Sequence, residues 1–243
     1  MRVKTKRENN VTGSSSEFDY IKENLRIIRE RINRAGKYNN GKVKLLAVTK
    51  TVSVEKINFA ISQGVDLIGE NKVSELLEKY DELNKDGIEI HFIGNLQTNK
   101  VKYIIDKVSM IQSVNSIRLA AEINKRAAQK NIKMDILVEL NIGEEDSKIG
   151  ISPKETLEFI NSLKDFENIR IKGLMTIPPF GKKDPGERYF AEMREIFIDI
   201  ASENIKNTNM SVLSMGMSDD FEKAIEYGAG MVRIGSAIFG RRN

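Results

Sequence analysis

The chain has 243 residues, of which 30% are charged and 40% hydrophobic, so it can bury one large core or two small ones. It has no cysteine and one histidine, which excludes disulfides, thiolate metal sites and a cysteine nucleophile and argues against a histidine-built metal centre. The net charge of +4 arises from interspersed charges, no apolar stretch reaches membrane-spanning length, and the N-terminus lacks an apolar leader. We therefore expect a cytoplasmic protein that binds neither nucleic acid nor membrane.

The N-terminal segment is polar, and residues 1–13, with a basic cluster at residues 2–7, predict a disordered tail. Residues 14–243 are expected to form one domain. It begins with an amphipathic helix that the serines at residues 14–16 cap and Gly36 ends. Its apolar residues recur at spacings of three and four: Phe18, Ile21, Leu25, Ile28 and Ile32.

From Val43 onward, a short apolar run, a polar turn and a helical pattern follow one another eight times. The predicted strands cover residues 43–50, 65–69, 88–94, 109–114, 134–142, 169–177, 211–217 and 231–235. The first helix after a strand, residues 54–62, is followed by Gly64 as its left-handed C′ residue. This alternation predicts parallel strands with right-handed crossovers, and eight units predict an α/β protein with a (β/α)₈ TIM barrel. A doubly wound open sheet is the alternative, weakened because neither GxGxxG nor a P-loop follows a strand.

A barrel collects its chemistry at the carboxyl ends of its strands, and Lys50 follows the first of them. A lysine among apolar neighbours loses hydration, so its pKa falls, and a neutral amine can form a Schiff base with a carbonyl. On these residues alone, an ordinary surface lysine is the favoured interpretation.

Two segments after the seventh and eighth strands predict a phosphate site. The first is SMGMS, from Ser214 to Ser218, and the second is GSAIFG at residues 235–240. Backbone N–H groups at helix starts, close-approaching glycines and serine hydroxyls suit an anion. The alternative is that Ser218 and Asp219 only cap a helix.

Other strand-end residues allow more than one role. Arg233 needs a partner, which is either an aromatic nitrogen or phosphate of a ligand, or an acid such as Glu70. We interpret Glu70 as a structural carboxylate that fixes Lys50 or Arg233, and His91 as a hydrogen-bonded core histidine. Lys148 is a solvated loop lysine that could meet an aldehyde. Further candidates for the barrel mouth are Asn71, Asn95, Ser113, Asn115, Asn141, Met175 and Thr176.

Seven motifs in order resemble the YggS/PROSC family of pyridoxal phosphate homeostasis proteins. They are AVTK, IGENKVSELLEKY, HFIGNLQTNK, SVNS, LVELNIGEEDSKIGI, GLMTI and LSMGMSDDFEKAIEYGAGMVRIGSAIFGRR. The resemblance as a whole runs from about residue 43 to residue 242. The resemblance implies the barrel of the alanine racemase N-terminal domain and a cofactor, pyridoxal 5′-phosphate, bound as a Schiff base. The basic tail is longer than the family leads us to expect, and its role stays open.

The resemblance also implies roles for individual residues. Lys50 would form the Schiff base, and Arg233 would face the pyridine nitrogen. Asn71 and His91 would line or support the pocket, and Lys148 would take part in cofactor handling. The phosphate would be held by Ser214 and Ser218 with the backbone amides of Gly235 and Ser236.

An arginine at the ring nitrogen keeps that nitrogen unprotonated, which weakens the cofactor as an electron sink. Alanine racemases add a tyrosine base from a second domain, which we do not expect here. We therefore predict a monomer that binds, protects and releases pyridoxal 5′-phosphate for vitamin B6 homeostasis, with little or no turnover and with cofactor-dependent apo-enzymes as recipients. The alternatives are a single-domain amino-acid racemase and a class I aldolase that uses Lys50 on a sugar phosphate.

Overall fold

The computed structural model describes residues 16–38, 43–145, 148–179 and 186–240. The predicted tail at residues 1–13 lies outside these ranges. So do the first serines of the predicted N-cap, most of the loop after the first helix, the middle of the loop at residues 178–186, and the end of the last motif.

Eight parallel strands close into a barrel in chain order. Closure is visible at Ala47, which pairs with Ile68 on one side and with Ile234 on the other. The predicted TIM barrel is therefore confirmed, and the open-sheet alternative is wrong. The strands are β1 (Lys44–Val48), β2 (Leu67–Glu70), β3 (Glu89–Phe92), β4 (Met110–Val114), β5 (Met134–Leu140), β6 (Ile169–Thr176), β7 (Thr208–Ser214) and β8 (Met231–Ile234).

Helices surround the barrel and follow the predicted pattern. They are α1 (Asp19–Ala35), α2 (Val54–Ser62), α3 (Val73–Tyr80), α4 (Val101–Ile104), α5 (Ile117–Gln129), α6 (Thr156–Ser162), α7 (Glu187–Ser202), α8 (Phe221–Glu226) and α9 (Ser236–Phe239). Short 3₁₀ turns cover Ser16–Phe18, Gly36–Tyr38, Thr98–Lys100 and Pro153–Glu155. None of these helices has the length and apolar character needed to cross a bilayer.

The extra N-terminal helix α1 buries its predicted apolar stripe, including Ile21 and Leu25, and packs on α8 and α9. Two of its polar side chains reach α9: Asn24 Nδ2 donates to the Ile238 carbonyl at 2.9 Å, and the Tyr20 hydroxyl donates to the Phe239 carbonyl at 3.3 Å. These carbonyls lie at the end of α9, where no further helical turn can satisfy them. The first described helix thus holds the last one in place.

Glycine conformations explain which predicted ends of helices and strands agree with the structure and which do not. Gly64 has φ +81° after α2, as predicted for a C′ residue. Gly36 instead has φ −76°, and the chain continues from α1 into a 3₁₀ turn. The seventh strand ends at Ser214, three residues before the predicted end, because Gly216 with φ +92° cannot continue an extended strand.

Inside the barrel, apolar side chains fill the centre. One group contains Leu46, Leu67 and Met231, and another contains Met175 with Met110 and Leu137. Met175 is fully buried, so the structure places this candidate mouth residue in the core.

Candidate functional site

A pocket of about 220 Å³ opens at the carboxyl ends of β1 and β8. It brings together three residues that the sequence placed in one site, Lys50, Gly235 and Ser236. Its full lining is Val48, Lys50, Thr51, Val52, Ser53, Lys56, Gly235, Ser236, Phe239 and Gly240. Asn71, Arg233 and Lys148 do not belong to this lining.

Lys50 lies in a tight turn at the end of β1. The Val52 N–H donates to the Thr49 carbonyl at 3.0 Å, which closes the turn. Thr51, its third residue, has φ +60°, a left-handed conformation that a β-branched side chain rarely adopts. Its backbone N–H donates to the carboxylate of Glu75 in α3.

A buried ion cluster stands beside this turn. Lys79 Nζ donates to Glu70 Oε1 at 2.9 Å, to Glu75 Oε1 at 2.7 Å and to the Thr49 carbonyl at 2.9 Å. The Thr49 hydroxyl donates to Glu70 Oε1 at 2.7 Å. The interpretation of Glu70 as a structural carboxylate is confirmed, but its partners are Lys79 and Thr49. The suggested Glu70–Arg233 pair is wrong, and no pattern in the sequence singles out Lys79.

The pKa values of the two carboxylates in this cluster are shifted in opposite directions from their usual value. Burial raises the pKa of Glu70 above its usual value, although Lys79 and Thr49 oppose that shift. Burial also tends to raise the pKa of Glu75, but hydrogen bonds from Lys79 and Thr51 outweigh it and leave that pKa lowered. Lys79 therefore bridges two acids in unlike surroundings.

The predicted phosphate loops meet each other. The Ser236 hydroxyl donates to Ser218 Oγ at 3.2 Å, and the Ala237 N–H points at the same oxygen at 3.5 Å. A Cβ built at Gly235 would lie 3.3 Å from the Val48 carbonyl oxygen, so this glycine lets β8 approach β1 closely. Ser218 and Asp219 do not cap α8, which has Asp220 at its N-cap and no side-chain cap bond, whereas Ser218 Oγ faces the first turn of α9.

Arg233 is a buried cation whose direct partners are neutral. Its Nη1 donates to Ser214 Oγ at 2.7 Å, and its Nη2 donates to the Thr176 carbonyl at 2.7 Å. Burial lowers its pKa to about 10, against the charges of Glu139 and Asp220, which raise it. The guanidinium therefore stays protonated at neutral pH.

Ser214 belongs to this interior network. Its hydroxyl donates to Gln112 Oε1 at 2.8 Å while it accepts from Arg233. It is fully buried, so the structure gives Ser214 partners inside the barrel and not in the Ser218–Ser236 pair. The phosphate role that the motif suggested for Ser214 stays a prediction.

The network continues to His91. Gln112 Nε2 donates to His91 Nδ1 at 2.9 Å, so the proton lies on His91 Nε2, which donates to Glu89 Oε2 at 3.3 Å. Burial lowers the pKa of His91, although Glu89 opposes the shift. His91 is only 1% exposed, which confirms a hydrogen-bonded core histidine. Gln112, a polar residue inside an apolar strand pattern, was the signal that sequence reasoning passed over.

Three further polar residues differ in position: Asn71 directly follows β2, Glu139 lies near the end of β5, and Lys148 lies in the loop after β5. Asn71 Oδ1 is buried and has no hydrogen-bond partner among the described residues, which leaves an acceptor for a ligand. Glu139 accepts from Asn115 Nδ2 at 3.2 Å, and burial raises its pKa. The Lys148 ammonium pairs with Glu145, so this loop lysine is engaged rather than simply solvated.

Comparison with known proteins gives consistent relatives. The family defined by the alanine racemase N-terminal domain matches residues 17–243. The pyridoxal phosphate homeostasis protein of Aquifex aeolicus is 44% identical over 219 residues, which cover 90% of this chain and 95% of that protein. The protein of the same name from Escherichia coli is 34% identical over 230 residues, or 92% of this chain and 97% of that protein.

Solved structures show the same barrel. A Bifidobacterium adolescentis protein superposes with a TM-score of 0.86 at 32% identity, covering 95% of this chain and 98% of its own. PipY of Synechococcus elongatus, solved with pyridoxal phosphate bound, gives 0.80 at 27% identity, covering 90% of this chain and 100% of its own. Alanine racemase from Corynebacterium glutamicum, at 18% identity and a TM-score of 0.72, matches over 62% of its length and shares the fold. The chain therefore belongs to the pyridoxal phosphate homeostasis proteins, a family with the alanine racemase N-terminal domain.

Proposed function

We propose that this chain binds pyridoxal 5′-phosphate, holds it covalently through the amine of Lys50, and serves vitamin B6 homeostasis with little or no turnover. One observation carries the proposal: Lys50 shares a pocket of about 220 Å³ with Gly235 and Ser236. This volume is below the roughly 300–1,000 Å³ of pockets for drug-sized ligands, which suits a small phosphorylated ring. The names of the relatives and the ligand of PipY support the same conclusion.

The residues present fit each part of this ligand. Lys50 offers an amine to the aldehyde, and the touching hydroxyls of Ser218 and Ser236 offer donors to the phosphate. Arg233 and Asn71 lie outside the lining of this pocket; the Arg233 guanidinium would face the ring nitrogen only as the family resemblance implies, and the unpartnered Asn71 Oδ1 would offer an acceptor. When bound, pyridoxal phosphate supplies a reactive aldehyde and an electron-withdrawing ring.

This chain's residues favour holding over turnover. If Arg233 faces the ring nitrogen, its N–H donor would disfavour a proton there. Proton transfer at a substrate carbon also needs a positioned acid or base. The residues that line the pocket, within the described ranges, include no histidine, tyrosine or carboxylate, so the amines of Lys50 and Lys56 are the lining groups that remain for proton transfer. A monomeric state, a cytoplasmic location and delivery to apo-enzymes stay predictions.

The covalent link is tested by incubating the protein with pyridoxal phosphate, reducing with borohydride, and measuring intact mass and the modified peptide. We expect one adduct on Lys50, its loss in Lys50→Ala, and its retention in Lys102→Ala, which removes an exposed lysine of α4. An unmodified wild type, or an adduct on Lys56 or Lys148, would contradict the proposal.

Turnover is tested separately with the loaded protein. We expect it to exchange the α-proton of amino acids in heavy water no faster than free cofactor does. Exchange well above that rate would favour the racemase alternative. A sugar phosphate trapped on Lys50 without any pyridoxyl adduct would favour the aldolase alternative.

A further inference from the structure

The turn that carries Lys50 has a shape that its own sequence does not favour. Its third position, with φ +60°, is occupied by Thr51. Glycine or asparagine is usual at such a position, because a β-branched side chain crowds the backbone there. Something outside the turn must therefore hold it.

Two side chains of α3 hold the turn from both sides of Lys50. On the carboxyl side, Glu75 accepts the Thr51 N–H. On the amino side, Lys79 Nζ donates to the Thr49 carbonyl at 2.9 Å. Glu75 and Lys79 are one helical turn apart and bind each other at 2.7 Å, so both contacts move as one unit.

A third element fixes this unit to the barrel. Glu70, at the end of β2, accepts from Lys79 at 2.9 Å and from the Thr49 hydroxyl at 2.7 Å. Glu70 is 1% exposed and Lys79 is 9% exposed, so water cannot replace these bonds without opening the core. Neither Glu75 nor Lys79 lines the pocket.

We propose that Glu75 and Lys79 are positioning residues for Lys50, holding its turn in the one backbone conformation that directs the amine into the pocket. The inference rests on the proposed function. Without Glu75, Thr51 would relax to negative φ, and the peptide that follows Lys50 would rotate. The amine would then reach the ligand only after the turn had reformed, which lowers affinity without removing any ligand contact.

The test is a double-mutant cycle between Glu75→Ala and Thr51→Gly. The readout is the dissociation constant for pyridoxal phosphate, titrated by the absorbance of the lysine-bound form, with thermal melts to verify folding. Loss of a charge-assisted hydrogen bond predicts about a tenfold weaker affinity for Glu75→Ala. In the Thr51→Gly background the same change should cost less than about threefold, because glycine adopts positive φ freely.

The matched control is Glu78→Ala, which removes an exposed carboxylate from the same helix and should leave affinity unchanged. Equal losses in the two backgrounds, or wild-type affinity in a folded Glu75→Ala, would overturn the inference. If Glu75→Ala does not fold, Glu75→Met, which fills the same space without an acceptor for the Thr51 N–H, serves instead, and wild-type affinity in that variant has the same meaning. A wild type that forms no Lys50 adduct would instead count against the proposed function.

Discussion

Lys79 and Arg233 are both buried cations at the carboxyl end of the barrel, 9% and 4% exposed, yet their surroundings differ. Lys79 binds two carboxylates and a carbonyl. Arg233 donates to a hydroxyl and a carbonyl, while Glu139 and Asp220 act on its pKa only through their charges.

The difference indicates how each charge is used. The charge of Lys79 is neutralised within its own cluster, so its effect is local and structural. The charge of Arg233 has no carboxylate in direct contact among the described residues, so its field remains available to a ligand in the barrel mouth. Substitution at Lys79 should therefore act mainly on stability and reach affinity only through the turn of Lys50, whereas substitution at Arg233 should act on affinity directly.

The largest effect is expected from Lys79→Met, which leaves two acids without their cation. Breaking a buried ion pair in this way costs about 3–5 kcal/mol of unfolding free energy. Denaturant titration measures it, with Lys72→Met, an exposed lysine just before α3, as the control. A loss below about 1 kcal/mol would show that Lys79 is not the centre of the cluster.

The same variant should recover in mild acid. Burial raises the pKa of Glu70, so the folded state binds a proton that the unfolded state releases, and stability rises as pH falls through that window. Removing Lys79 takes away a group that opposes the shift, so the deficit of Lys79→Met should shrink between pH 7 and about pH 5. An unchanged deficit would contradict an ionised, buried Glu70.

Compared with Lys79→Met, Arg233→Met should lower the free energy of unfolding less and weaken the affinity for pyridoxal phosphate more. Its two hydrogen bonds from a charged donor predict a loss of about 2–3 kcal/mol. Affinity for pyridoxal phosphate should weaken at least about tenfold. Arg233→Lys keeps the charge and should recover part of the affinity. If Arg233→Met lost more stability than Lys79→Met, the contrast between the two cations would fail.

The smallest effect is expected at the opposite end of the interior network. His91 and Lys44 lower the pKa of Glu89 to about 2, so Glu89 contributes stability above its usual pKa and loses it as pH falls towards about 2. Glu89→Gln should flatten the acid limb of the stability curve by less than about 1 kcal/mol, because this carboxylate is half-exposed. We expect no change in the affinity for pyridoxal phosphate. A change would show that Glu89 influences Arg233 through His91, Gln112 and Ser214.

The barrel and the lysine at its mouth were predictable because both depend on local signals. Apolar runs alternating with helical spacing indicate parallel strands, and a residue just after a strand lies at the mouth. The surroundings of Lys79 and Ser214 were not predictable from the sequence, because they depend on contacts between distant segments. In the sequence, Lys79 looks like part of a solvated helix face. Its partners, two acids and a carbonyl from three segments, come together only in the folded barrel. The face that Ser214 presents depends on where β7 ends, and Gly216 set that point.

The bonds from α1 to α9 join residues far apart in sequence, 214 positions in the case of Asn24 and Ile238. Bringing such distant segments together carries a loop-closure cost, which the chain meets before the contact contributes anything. Gly235 and Ser236, at the start of α9, can therefore reach their final place only when the ends of the barrel have met. Only chains that have completed the barrel would then bind pyridoxal phosphate at this site. Partly folded chains would give no signal in a binding assay.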